Sequence, residues 1–250
     1  MVVARPLSWF GMVSTVPVSS AAPPLLQGAL WAVVDVTTSC RPESADVSRL
    51  VLIRHAASDT TLNGQTLLCG SYDAPLSIAG RAQVERLSAR LASDEASALY
   101  SSPLRRAIGT AAAAPPTLQA YMRVLRSLAE VDCGILDGLA IESVRRDYAA
   151  VWAENEAQSN DEFRWPGGES YRGFRSRVMR AVRAIARKHS GERVLLITHA
   201  GVINQVLGTI AGQSAARWEN FRPRNAAITE VIWKGHTGGL VAFDDASHLL

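Results

Sequence analysis

The stretch Leu52-Ile53-Arg54-His55-Ala56 decides the fold, because an apolar run ends there directly in an arginine and a histidine. A second apolar run, Val194-Leu195-Leu196-Ile197-Thr198, ends in the same way at His199-Ala200-Gly201. Short runs of leucine and β-branched residues are typical of buried parallel strands. Ligands of open α/β sheets bind outside the carboxyl ends of such strands. We therefore expect His55 and His199 to face one pocket.

Strand and helix patterns alternate along the rest of the chain. The predicted strands cover residues 51–54, 98–101, 122–128, 193–198 and 227–233, with 240–243 as an edge. The predicted helices cover residues 78–91, 103–114, 141–156, 169–189 and 202–210. This alternation predicts an α/β protein, a three-layer α/β/α sandwich whose mostly parallel sheet has helices on both faces.

Length and composition fit one folded domain with an appendage. The chain has 250 residues, of which 48% are hydrophobic and 20% are charged, and such a composition is typical of a packed globular domain. Residues 1–47 are rich in proline and poor in charged residues, so we expect a poorly ordered N-terminal extension before a domain at 48–250. The extension lacks an unbroken apolar stretch near the ~20 residues that span a membrane. We expect a cytoplasmic protein.

Cysteine, lysine and histidine usage argues against several functional classes. Cys40, Cys69 and Cys133 form no C-x-x-C pair, so neither a disulfide framework nor a zinc site is indicated. Only two of the 26 basic residues are lysines, and the arginines are spread along amphipathic helical patterns rather than clustered in a nucleic-acid-binding motif. The remaining histidines, His189, His236 and His248, have no metal-ligand spacing and are expected to be solvent-exposed.

Two further segments contain residues suited to phosphate chemistry. Ser101-Ser102-Pro103-Leu104-Arg105-Arg106-Ala107 places arginines in the first turns of a helix that follows a strand. A helix N-terminus with an arginine favours an anion, and we expect Arg106 to point inward and Arg105 towards solvent. In Leu128-Ala129-Glu130-Val131-Asp132-Cys133-Gly134, the Glu130 carboxyl group lies at another strand end, where it could act as a general acid or be an ordinary surface acid.

Together these segments resemble the histidine phosphatase superfamily, in its phosphoglycerate-mutase-like branch, over about residues 50–233. The family's motifs R-H-G, S-P-L-x-R-A, L-x-E-x-x-x-G and S-H-x-G-V correspond here to Arg54-His55-Ala56, Ser102 to Ala107, Leu128 to Gly134, and Thr198-His199-Ala200-Gly201-Val202. Two lesser matches are residues 70–76 and 166–170. They resemble those of α-ribazole-phosphatase-like members and of broad-specificity phosphatases.

The resemblance implies a hydrolase that uses a phosphohistidine intermediate. His55 would attack phosphorus, while Arg54, Arg106 and His199 hold the transferring oxygens. Glu130 would protonate the leaving alkoxide and then act as base for water. No metal and no cofactor are implied. Where the family often has a phosphate-contacting asparagine this chain has Thr61, so Asn63, two residues further on, is the substitute candidate for that phosphate contact.

Phosphatase activity is favoured over two alternatives. Mutases of the family carry a longer insertion between the acid and the later G-E-S motif than the interval from Glu130 to Glu169 offers. The His199-Ala200 pair also differs from the H-D pair of the acid-phosphatase branch. Mutase-type phosphoryl transfer and a catalytically silent scaffold remain the alternatives.

The expected partner is a small phosphorylated metabolite. Neither nucleic acid nor a membrane is expected as a partner, and a homodimer is left open. A group of large side chains, Trp152, Phe163, Arg164 and Trp165, either shapes the pocket mouth or packs a helical cap onto the sheet.

Overall fold

A six-stranded sheet lies at the centre of residues 46–250, the part of the chain that this computed structural model describes. Its strands are β1 (Ser48–Arg54), β4 (Ala98–Ser101), β5 (Arg123–Val124), β6 (Arg193–Thr198), β7 (Ile228–Lys234) and β8 (Thr237–Asp245), in the order β5-β4-β6-β1-β7-β8. A separate two-stranded hairpin consists of β2 (Thr61–Leu62) and β3 (Gln65–Thr66). The predicted extension at 1–47 lies, up to residue 45, outside the described residues.

Strands β5, β4, β6 and β1 are parallel, whereas β7 pairs antiparallel with both β1 and β8. The register aligns Ile53 with Ile197 and Arg54 with Thr198. The backbone N–H of His55 then donates to the carbonyl oxygen of Thr198 over 2.8 Å. Both histidine-bearing ends therefore meet at one edge of the sheet.

Helices flank the sheet, which confirms the predicted fold class. Within residues 46–250 they are α1 (Ile78–Leu91), α2 (Arg105–Ala111), α3 (Pro116–Gln119), α4 (Ile141–Asp147), α5 (Ala149–Ala157), α6 (Tyr171–Lys188) and α7 (Ala200–Ile210). Residues of α1 and α2 pack against Val51 and Ile53 of β1 and against β6. The apolar stripe of α6 is buried, and α6 and α7 contact each other as well as β1.

Several predicted boundaries were wrong. The strand predicted at 122–128 is only Arg123–Val124, followed by a 3-10 turn at Arg126–Leu128. The helix predicted at 141–156 is divided at Tyr148, whose φ of −127° is not helical. A short helix begins at Pro116, where an end was predicted, because proline is well tolerated in a first helical turn.

His189 is buried rather than exposed, contrary to the prediction. Its Nε2 shares a hydrogen bond of 2.9 Å with the Tyr100 hydroxyl group, and its Nδ1 lies 2.6 Å from a Glu192 carboxylate oxygen. It follows the last turn of α6 one helical period after the buried Ile185, so the apolar stripe of that helix indicates its inward direction. Among the helices of residues 46–250, none has the length and hydropathy to cross a bilayer.

Candidate active site

His55 lies immediately after β1 and is almost completely buried, with 7% of its surface exposed. Its Nδ1 lies 2.8 Å from the carbonyl oxygen of Ala56. A carbonyl oxygen only accepts, so Nδ1 carries the proton and Nε2 keeps its lone pair. Burial, helped by the charge of Arg106, lowers the pKa of His55 to about 3. The imidazole is therefore neutral near pH 7 and has a free nitrogen.

His199 is the residue that precedes α7, and it is completely buried. Its ring centroid is 5.1 Å from that of His55. Its Nε2 shares a hydrogen bond of 2.6 Å with the Ser102 hydroxyl group, whereas Nδ1 is buried without a hydrogen-bond partner in residues 46–250. Burial lowers the pKa of His199 well below its usual value, and the charges of Arg106 and Arg54 lower it further.

Arg106 is buried, and Arg105 beside it is exposed. The Arg106 guanidinium donates to the carbonyl oxygens of Tyr72 over 2.6 Å and Gly70 over 2.8 Å. Burial lowers its pKa, although a guanidinium remains charged in proteins. These two backbone carbonyls fix the position of the cation.

The anion site expected at the N-terminus of α2 is already occupied by a carboxylate of the chain. The backbone N–H of Arg105 donates to Asp73 Oδ1 over 2.6 Å, and the helix has only seven residues. A bound phosphate would therefore be held by side chains rather than by this helix end.

Arg54 contributes a second guanidinium at the same edge of the sheet. Its Nη1 donates to the carbonyl oxygen of Pro223 over 2.7 Å. Its Nε is buried and has no hydrogen-bond partner among the described residues. Burial lowers the pKa of Arg54, and the Glu130 carboxylate partly opposes that effect. A buried N–H without an acceptor is costly, and a phosphoryl oxygen would supply one.

The Glu130 carboxyl group contacts the first turn of α7. Its Oε2 accepts the backbone N–H of Gly201 over 3.0 Å, and its Oε1 accepts that of Val131 over 3.0 Å. A Cβ atom at position 201 would lie only 2.2 Å from Glu130 Oε1. The glycine therefore lets the carboxyl group reach the helix end.

Asn63 is the one candidate that the structure does not bring into this cluster. It is exposed and forms a turn with Gly64 between β2 and β3, with φ values of 50° and 76° respectively. An Asn-Gly pair with positive φ at both residues is typical of a tight hairpin turn. No hydrogen bond among the described residues joins Asn63 to His55, Arg54 or Arg106.

Several residues that sequence reasoning did not select hold the cluster in place. Ser102 contacts His199, and a signal for it was available, since it belongs to the S-P-L segment. Arg177 of α6 donates to the carbonyl oxygens of residues 126, 127, 129 and 130, and pairs with Glu169 at 2.7 Å. Its position in an amphipathic, arginine-rich helix gave no signal.

The loop that holds Arg106 is itself held by Asp137. The Asp137 carboxylate accepts the backbone N–H groups of Gly70, Ser71 and Cys133, together with the Ser71 hydroxyl group, over 2.6 to 3.0 Å. This network connects the acid-bearing segment to the carbonyls that bind the Arg106 guanidinium.

A cavity of about 260 Å³ opens beside Glu130 and Gly201. Most of its walls are apolar or aromatic, and they include Trp152, Trp165, Phe174 and Trp218. Trp165 also packs with Phe163 in a core cluster that includes Val144 of α4. Of the four large side chains considered above, Trp152 and Trp165 line the cavity, Phe163 packs in the core, and the exposed Arg164 donates to the carbonyl oxygen of Gly168.

The arrangement can bind a phosphoryl group between two guanidinium groups and two neutral imidazoles. Within residues 46–250, no group of three or more histidine, cysteine or acidic side chains is suited to hold a metal ion. The positive charge that faces the histidines comes from Arg54 and Arg106.

Comparison with known proteins agrees with this geometry. Residues 50–246 match the family described as the histidine phosphatase superfamily, branch 1. A metal-independent phosphoserine phosphatase of Arabidopsis thaliana is 30% identical over 82% of this chain and 84% of its own length. Phosphoglycerate mutase-like protein 4 of the same plant is 29% identical over 83% of this chain and 89% of its own length. The structure of YhfR from Bacillus stearothermophilus superposes with a TM-score of 0.72 at 23% identity, covering 81% of this chain and all of the other.

Proposed function

The chain belongs to branch 1 of the histidine phosphatase superfamily and is a phosphatase, and we propose that it hydrolyses phosphomonoesters with His55 as the nucleophile. The observation that carries this proposal is the free Nε2 of a neutral His55, which lies next to His199 and within the field of the Arg106 and Arg54 charges. A histidine attacks phosphorus through such an unprotonated nitrogen.

The first step forms a bond between His55 Nε2 and phosphorus and breaks the ester P–O bond. Arg54 and Arg106 neutralise the phosphoryl oxygens, as preorganised cations do in phosphoryl transfer. When Ser102 donates its hydroxyl proton to His199 Nε2, the single N–H proton of the neutral imidazole lies on the unpartnered Nδ1. That N–H then donates to a phosphoryl oxygen.

Glu130 transfers the protons. Its carboxylic acid form protonates the leaving alkoxide, so that an alcohol departs, and the resulting carboxylate takes a proton from water in the second step. The oxygen of that water forms the new bond to phosphorus while the bond from phosphorus to His55 breaks. Inorganic phosphate leaves, and Glu130 and His55 return to their starting forms.

The proposed substrate is a small phosphorylated metabolite. Phosphoserine is one candidate, because a 30% identical relative is named a metal-independent phosphoserine phosphatase. The proposed reaction needs no metal, since side-chain cations hold the phosphoryl group, and we place the enzyme in the cytoplasm. A mutase is less favoured, because the interval from Glu130 to Glu169 contains only a short 3-10 turn, α4 and α5.

The nucleophile can be tested by trapping the intermediate. Wild type and His55→Asn protein would be mixed with a 32P-labelled phosphomonoester in EDTA and quenched within milliseconds. We expect wild type to release phosphate and to hold label that is stable in alkali and labile in acid, the behaviour of phosphohistidine. The variant should show neither. Label or turnover that persists in a folded His55→Asn protein would contradict the proposal.

A further inference from the structure

Arg222 lies where two openings of the candidate site meet. It lines the cavity of about 260 Å³ beside Glu130, and it also lines a more open cleft of about 630 Å³ that includes Arg54 and Arg224. The leaving alcohol of the proposed reaction would lie on the Glu130 side. Arg222 is therefore a cation that lines the space that the alcohol would fill.

The guanidinium of Arg222 is held against a wall of the cavity. Its central carbon lies 5.5 Å from the centroid of the Trp218 ring, a cation–π distance. The Trp218 indole is fixed in turn, because its Nε1 donates to the carbonyl oxygen of Asn155 over 3.1 Å. The cation thus has a defined position although 60% of its side chain is exposed.

The ion pair of Arg222 is weak enough to be exchanged for a ligand. Its Nη1 lies 3.2 Å from Glu219 Oε1, and 48% of the Glu219 side chain is exposed. Surface pairs of this kind contribute little to stability. The neighbouring Arg224 differs, since it binds both a carboxylate oxygen and the carbonyl oxygen of Asp244, each over 2.8 Å.

The charges around the cavity favour an added anion at this point. Glu130 is the only acidic residue among the cavity-lining residues of the described chain. The like charges of Arg222 and Arg54 interact, and burial has already lowered the Arg54 pKa. An anion placed near Arg222 would reduce this repulsion and would take the place of the Glu219 carboxylate.

We infer that Arg222 is a specificity-determining residue that binds a second anionic group, a carboxylate or a phosphate, on the alcohol part of the substrate. The inference rests on the proposed function, since it places the esterified phosphate at His55. The apolar walls fit a short carbon skeleton between the two anionic groups. Arg222 recognises the substrate, whereas His55 and Glu130 act on it.

Matched pairs of esters test this assignment. One pair is 3-phosphoglycerate and glycerol 3-phosphate, in which a carboxylate of the first compound replaces a hydroxymethyl group of the second. The other is propane-1,3-diol bisphosphate and its monophosphate. kcat/KM would be measured on all four for wild type, Arg222→Gln and Arg222→Lys, with Arg146→Gln as control, because Arg146 is an exposed arginine that pairs with Asp147.

We expect wild type to prefer the more anionic member of at least one pair by about tenfold or more, as a charge-assisted hydrogen bond allows. Arg222→Gln should remove that preference by lowering kcat/KM on the anionic member about tenfold, with less than a twofold change on the other. Arg222→Lys should restore part of it, and Arg146→Gln should leave it intact. The pair that responds identifies the anion as carboxylate or phosphate.

Two results would overturn the inference in distinguishable ways. If wild type hydrolyses these esters but shows no preference, or keeps its preference in Arg222→Gln, Arg222 is not the selector and the proposed function stands. If wild type hydrolyses no phosphomonoester at all, the proposed function fails and the inference fails with it.

Discussion

At the scale of single residues, the candidate site depends on two imidazoles that the fold keeps uncharged. His55 donates through Nδ1 to a backbone carbonyl and His199 contacts a hydroxyl group, so neither has a carboxylate that would favour its cationic form. Positive charge comes instead from Arg54 and Arg106, which stay charged when buried. This separation leaves a nucleophilic nitrogen beside fixed cations.

Gly201 supports the first prediction at this scale. In Gly201→Ala the new Cβ would collide with Glu130 Oε1 and displace the proposed acid. We expect kcat on an alkyl phosphate to fall about 100-fold, the lower range of general acid contributions, while thermal unfolding shows a folded protein. Gly208→Ala in the same helix is the control, because its Cβ meets the Arg175 guanidinium and not Glu130. A fully active Gly201→Ala would refute this role of the glycine.

At the scale of elements, α6 positions the segment that carries the acid. Arg177 donates to four carbonyl oxygens of residues 126–130, and its guanidinium also binds both carboxylate oxygens of Glu169. One side chain thus links the helix, the G-E-S segment and the Glu130 segment. In the proposed mechanism Arg177 is a positioning residue, since it would act through Glu130.

The Arg177 contacts predict a dependence on the leaving group. In Arg177→Met the Glu130 segment loses its support, so leaving groups that need a proton should suffer most. We expect kcat to fall at least tenfold further on an alkyl phosphate than on p-nitrophenyl phosphate, whose leaving group departs without protonation. Arg177→Lys should recover part of the loss. An equal loss on both esters would indicate a purely structural role.

The exposed Arg180 of α6 provides the matched control for this experiment. Arg180→Met removes the same charge from the same helix and should leave the ratio of the two rates unchanged. A change in that ratio would mean that any loss of charge from α6 disturbs the acid, and not the Arg177 contacts in particular.

At the scale of the whole molecule, the two buried histidines link stability to pH. Burial lowers the pKa of His55 from 6.5 to about 3 and lowers that of His199 as well. Below pH 6.5 the unfolded chain binds protons that the folded chain does not. The contribution of these histidines to the free energy of unfolding is therefore complete above pH 6.5, and it is lost as the pH falls from 6.5 towards 3.

Urea unfolding measures this linkage. Well below pH 6.5, each histidine should lower the free energy of unfolding by about 1.4 kcal/mol for every pH unit of acidification. The free energy of unfolding of wild type should therefore fall by several kcal/mol between pH 7 and pH 5. His55→Asn and His199→Asn should each show a shallower slope, whatever their stability at pH 7. If both variants keep the wild-type slope, the imidazoles are not neutral in the fold.

Local patterns determined much of this protein. Apolar runs that end in histidine predicted β1 and β6, and the alternation of strands and helices predicted the α/β sandwich. The motif order predicted the family that the comparisons confirm. Such predictions succeed because burial of a strand or of one helix face requires a periodicity that is visible in the residues themselves.

Only the tertiary structure decided how the candidate site is held and where it ends. Arg177 meets residues 126–130, Asp137 meets Gly70, and Arg222 lies between two openings, all through contacts between segments far apart in sequence. An arginine on an amphipathic helix has the same local pattern whether it faces solvent or a row of carbonyl oxygens. Which of these it meets depends on the packing of distant elements, and the local sequence does not encode that packing.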